Sequence, residues 1–190
     1  MRGLTMTVKG LGALLTHNPA SMRPAGKMNK GSKVPEPDVE AEAGTYMDDD
    51  GRYCIPAAAF RGAIIKASAS FKMGRKSGKY FTSHIEMDPA NELVPLTDAH
   101  GKPLNYTIDT RRAVVQRQGI LRSRPKFRDW HAEFTFFYDE GIVTEATAAN
   151  VFLDFASDAG RRIGVGDFRP ERGGWFGRFE VTDVAAIPWP

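Results

Sequence analysis

Cysteine is nearly absent from this chain of 190 residues: Cys54 stands alone, which excludes an internal disulfide framework and any cysteine-based zinc site. Long apolar runs are missing as well. No stretch approaches the roughly 20 residues that a membrane span requires, and the first fifteen positions interleave threonine and glycine where a leader would carry a continuous apolar core. No membrane association is expected, and the reading places the protein in the cytoplasm. The marks of several enzyme classes are also lacking, since there is no Walker loop, no nucleophile elbow and no His-Glu-x-x-His. No metal, no cofactor and no catalytic residue is expected.

What is present is ordinary in amount and unusual in arrangement. Hydrophobic residues make up 42% and charged residues 26%, the balance of a globular domain, and the length suits one domain over 1–190. The net charge is only +3, yet the charges are segregated. Residues 36–50 hold seven acids and no base, residues 51–85 seven bases and no acid, and residues 110–128 seven more bases without an acid. One such block is usually a solvated face. Three sign-pure blocks suggest basic tracts that converge on a phosphate backbone.

The segment 161–179 joins two arginine clusters through a glycine-rich loop. Glycine lets backbone N–H groups approach an anion, arginine grips phosphate through a planar fork, and Trp175, Phe176 and Phe168 are rings on which bases stack. Single-stranded nucleic acid satisfies all three. The cations assigned to the backbone are Arg111, Arg112, Arg117, Arg122, Arg124 and Lys126 on one tract and Arg161, Arg162, Arg169, Arg172 and Arg178 on the loop. Tyr80 and Phe81 are further stacking candidates.

Periodicity supplies the frame. Leu4, Met6 and Val8 alternate with polar residues as a half-buried strand does, and Phe60, Ile64, Ala67 and Phe71 recur at helical spacing after Pro56. Strand character returns at 111–117 and at 131–138, two segments expected to pair. Thr144 caps a helix with an apolar stripe through Ala148, Val151, Phe152, Phe155 and Ala159, stopped at Gly164, and 175–181 reads as a last strand. Segments 16–50 and 72–110 read as insertions, the first mobile and carrying the acidic block. The order is an α+β, ferredoxin-like βαββαβ core.

With Ile163-Gly164-Val165-Gly166 followed by Gly173-Gly174-Trp175-Phe176-Gly177, this decorated core resembles the RAMP superfamily of CRISPR systems. That resemblance implies a backbone-type subunit that binds a single strand without cutting it and stacks side by side into filaments. The run Ile163 to Pro170 also looks like the Ile-Gly-x-Gly-Asp-x-Arg-Pro segment of short phage-encoded proteins. This implies a stand-alone phage relative in an infected bacterial cytoplasm, self-associating, with single-stranded DNA favoured over RNA. The segment 172–179 is similar to the aromatic submotif of the RNA-recognition motif, but it lies on the last strand rather than the third and has one glycine too many.

Two other readings stay open. Some RAMP relatives are endoribonucleases with a histidine soon after the first strand, where this chain has His17, and Lys27, Lys30 and Tyr46 are candidate partners. Alternatively, the basic tracts contact an acidic protein. His84, Glu86 and Asp88 alternate on one strand face as metal ligands do, but no second cluster completes a set. Cys54 precedes a helix start and is read as a small buried thiol.

Overall fold

The computed structural model describes residues 1–19, 36–115 and 118–189. Along the chain come β1 (Arg2–Gly10), β2 (Leu14–Leu15), α1 (Pro37–Ala43), β3 (Tyr46–Met47), β4 (Tyr53–Pro56), α2 (Ala57–Ser68), β5 (Lys72–Met73), β6 (Lys76–Ser77), α3 (Gly78–Thr82), β7 (Glu86–Met87), β8 (Leu93–Pro95), β9 (Thr107–Val115), β10 (Gln118–Phe127), β11 (His131–Tyr138), α4 (Glu145–Asp158) and β12 (Phe179–Ile187). The protein is a mixed α and β structure whose sheets are antiparallel. No helix among the described residues is long and apolar enough to cross a membrane.

Alternation on β1 sends Leu4, Met6 and Val8 to one face of a four-stranded sheet ordered β12-β1-β11-β7. The register sets Leu4 against Phe136 and Met6 against Phe134, so both strands present their apolar side chains to the same layer. Helices α2 and α4 cover that layer. Phe60 of α2 stacks on Phe134 with ring centres 4.3 Å apart, and Phe152 of α4 meets Phe136 at 5.1 Å. Each such ring, buried completely, contributes about 1.5–3 kcal/mol. The other face is polar over much of its length, with the Thr5 and Thr135 hydroxyls 2.8 Å apart and the Thr7 hydroxyl donating to Glu133, while Phe137 at one end packs on Trp189.

Two sequence expectations are corrected here. The strand beside β11 is not 111–117 but β7, which pairs Met87 with Phe136 and Glu86 with Phe137. Residues 107–115 instead form one arm of a long hairpin, β9 with β10, whose far edge joins β2 through Lys126–Leu15 and Phe127–Leu14. That hairpin stands outside the central sheet. The last strand begins at Phe179 rather than at Trp175, because Gly177 turns the chain with φ 65° just before it.

Helix α4 passes into a π-helical turn, Ala159–Ile163, and stops at Gly164 as its spacing predicts. The described part of the acidic segment is ordered against the hairpin. Glu40 of α1 accepts hydrogen bonds from Arg122 Nη1 at 2.8 Å and from the Ser123 backbone N–H at 2.9 Å, and Ala41 is buried.

Candidate functional site

The outer side of α2 is made of small residues, Ala58, Ala59 and Gly62, and a cleft of about 360 Å³ opens over it. Its opposite wall is the loop from Ile163 to Asp167 with Arg169 and Glu171, and Thr16, His17 and Tyr46 close one end. Lys66, at the C-terminal side of the cleft, bridges the walls through a 2.6 Å contact with Glu171.

The loop is fixed by backbone hydrogen bonds to the core. Val165 donates to Gly177 O at 2.9 Å, Asp167 to Leu15 O at 2.8 Å, and Gly177 to Ala13 O at 2.9 Å. Gly166 is required where it stands. Its φ is 75°, and a Cβ there would come 2.3 Å from the Leu15 carbonyl oxygen. Gly166 thus serves contact between the loop and β2, while the close neighbours of Gly174 and Gly177 are Phe168 and Val165 of the loop itself.

The aromatic residues of the loop split in two. Trp175 is 58% exposed, whereas Phe176 is 3% exposed, so the Phe176 ring is closed to any base and lies beneath the Trp175 indole. This corrects the sequence expectation, and its cause is visible in the packing. Trp175 lies over Phe176 with ring centres 5.3 Å apart, and Phe168 meets Trp175 edge-on at 5.2 Å. From the hairpin, the Arg111 guanidinium sits 4.6 Å from the Phe176 ring centre and 5.1 Å from that of Trp175, and Lys126 Nζ lies 5.6 Å from Phe176. Cation and ring attract each other in this arrangement.

The cations of the hairpin are largely paired. Asp109 takes Arg111 and Lys126 together, Arg122 pairs with Glu40, and Arg124 pairs with Asp167. Burial raises the Asp109 carboxyl, but hydrogen bonds from Arg111 and Lys126 outweigh it and hold the group below the usual carboxylate range. On the loop, Arg162 is bound by Asp158 and Arg169 by Glu171. Arg112, Arg161, Arg172 and Arg178 are exposed and pair with no acid among the described residues. Arg117, Lys27 and Lys30 lie outside the described residues. Tyr80 and Phe81 lie apart from the loop, in α3, edge to face at 5.4 Å.

His17 is half-buried in the cleft. Burial first, and the nearby Arg124 charge second, push its imidazole below the ordinary value, with Asp167 opposing. Tyr46 donates its hydroxyl to the His17 carbonyl at 3.3 Å, and burial raises its phenol. His84 contacts the Ser83 hydroxyl at 2.8 Å, and Asp88 caps the turn at Ala90 by accepting from its backbone N–H. Among the described residues no cluster of histidine, cysteine and acids suited to a metal ion occurs. Cys54 is buried, and that burial pushes its thiol up to about 12.

Sequence reasoning missed the acids that organise this surface. Asp109 had a local signal, since a residue two positions before Arg111 on a strand shares its face. Glu40 and Asp167 had none, because their partners are 82 and 43 positions away in a fold not yet known.

No family model matches the sequence, and no curated protein matches it. A solved structure does match in shape: a chain of the "Type III-B Cmr-beta bound to cognate target RNA", determined by cryo-EM, superposes with a TM-score of 0.58 at 12% identity. The match covers 98% of the present chain and 61% of that one. The likeness is one of fold.

Proposed function

We propose that this protein binds single-stranded nucleic acid, with little regard for sequence and without cutting it. The observation that carries this reading is Trp175: a large indole left 58% exposed on a loop pinned to the core, backed by Phe176 and flanked by Arg111. A ring held rigid and open in a cationic frame is what base stacking uses, and stacking tolerates every base. Arg112, Arg161, Arg172 and Arg178 supply the phosphate contacts, and the paired cations around them hold the frame in place.

The fold supports the same reading. Taking β7 as the second strand, we read the order β12-β1-β11-β7 and the helices α2 and α4 as a ferredoxin-like βαββαβ core. The matched chain belongs to a Cmr complex bound to RNA, in keeping with a RAMP-type relative that lines up along a strand. The phage-like loop motif favours DNA and the Cmr likeness favours RNA.

Binding of labelled single-stranded DNA, single-stranded RNA and duplex DNA, followed by anisotropy over a salt series, tests this directly. Tight, salt-sensitive binding to intact single strands, weaker on duplex, is the expected result and identifies the preferred polymer. Equal affinity for duplex, or none for any of the three, overturns the reading. Shortened strands on a denaturing gel would transfer the role to His17 in the cleft.

A further inference from the structure

Beyond the C-terminal end of α2 a second basic surface projects from the fold. Strands β5 and β6 form a hairpin in which Met73 pairs with Lys76 across a two-residue turn, Gly74-Arg75, with Gly74 at φ 62°. All residues from Lys72 to Ser77 are exposed. The hairpin is tied down at its base, where Gly78 N–H donates to Phe71 O at 2.8 Å and Phe71 packs its ring on Phe155 of α4. Lys72, Arg75, Lys76 and Lys79 pair with no acid among the described residues, unlike the cations of the β9–β10 hairpin. Lys76 Nζ instead lies 3.9 Å from the centre of the Tyr80 ring, and Tyr80 is 40% exposed.

Folding alone gives little reason for this arrangement. A pair of two-residue strands buries almost nothing, and its three like charges, with Lys79 just after it, repel one another. The negative end of the α2 dipole favours cations within its own last turn, which accounts for Lys66 and not for a projecting group beyond it. The site is also separate from the cleft. The cleft runs along α2 from Ala58 to Lys66, whereas the hairpin starts past the end of the helix. Arg162, paired with Asp158, reaches this end of α2, where its Nη2 donates to Ser70 Oγ at 2.8 Å.

We infer that the β5–β6 hairpin with Tyr80 is a second contact for the same strand, gripping phosphates beyond those held around Trp175. The inference rests on the single-strand reading above. It assigns the hairpin to length of footprint rather than to the primary site, because unpaired cations beside an open ring fit a phosphate and its neighbouring base.

The test compares strands of about 5 and about 20 nucleotides, which bracket the usual span of single-strand sites. Each is titrated with the full chain and with a variant carrying Lys72→Gln, Arg75→Gln, Lys76→Gln and Lys79→Gln; thermal melting verifies that the variant folds. The expected result is unchanged binding of the short strand and weaker binding of the long one. Its salt slope should fall by up to about 3, since each of four lost phosphate contacts contributes roughly 0.7 on single strands. Tyr80→Ala should weaken the long strand alone. Equal loss on both lengths, no loss on either, or competition by polyglutamate as strong as by the long strand overturns the inference. If the unaltered protein binds neither strand, the single-strand reading itself has failed.

Discussion

Arg124 of the β9–β10 hairpin and Asp167 of the glycine-rich loop form an ion pair, with the Arg124 side chain 19% exposed and that of Asp167 34% exposed. The contact joins the basic 110–128 block to the glycine-rich loop, the two parts of the chain assigned to a phosphate backbone. Asp167→Asn removes one charge and leaves Arg124 partly buried without its partner. Such a pair falls between the exposed and the fully buried case, so a loss of about 1–2 kcal/mol is expected. In a chain of this length that is a melting temperature lower by about 2–8 °C, read by calorimetry.

Trp175 and Phe176 are neighbours in sequence with opposite roles, and alanine substitution separates them. Trp175→Ala should leave the melting temperature within about a degree of the parent, as exposed positions do. Its binding of single strands should weaken by about 5- to 150-fold, the equivalent of one stacked base. Phe176→Ala should destabilise the fold by roughly 3–5 kcal/mol, the range for a buried aromatic ring. A Trp175 variant that melts early but binds normally would return the indole to the core.

Gly166 and Gly62 both line the cleft, yet alanine should act on them in opposite directions. At Gly166 the added Cβ meets the Leu15 carbonyl oxygen at 2.3 Å and the backbone is left-handed, so a loss above about 2 kcal/mol is expected. At Gly62 nothing lies within 4 Å of the added atom, and helix propensity predicts a gain of about 0.5–1 kcal/mol. Urea midpoints of the two variants supply the comparison.

His17 predicts a pH effect of definite sign. Its folded value lies below the unfolded value of about 6.5, so the unfolded chain takes up the proton first as the solution is acidified. The contribution of His17 to stability is therefore complete above about pH 6.5 and is lost as pH falls towards its folded value. Between pH 7.5 and pH 5.5 the native protein should lose more stability than His17→Asn, and equal losses in the two proteins would contradict the assignment.

How much the sequence disclosed depended on how local each signal was. β1, β11, α2 and α4 were legible because their apolar residues repeat over two or more periods, as in Leu4, Met6 and Val8 or Val151, Phe152 and Phe155. β7 was not, since Glu86 and Met87 are too few to show any period, and its place was given to a longer segment with stronger β character. The loop was recognised by composition, but composition does not separate an open Trp175 from a closed Phe176. That difference arises when Arg111 and Lys126 arrive from the hairpin. The charge blocks suggested basic tracts that converge, whereas Glu40, Asp167 and the nearby Asp109 neutralise much of the 110–128 block and leave the shorter run at 72–79 unpaired.

The buried thiol of Cys54 has a practical consequence. With its titration pushed up to about 12 and no second cysteine in the chain, the protein offers almost no thiolate to maleimides or iodoacetamides at neutral pH. A single cysteine placed at an exposed position such as Ser83, next to α3, would take a fluorophore alone and uniformly. The wild-type background is thus ready for site-specific labelling, and a dye there would test whether a single strand reaches the basic hairpin.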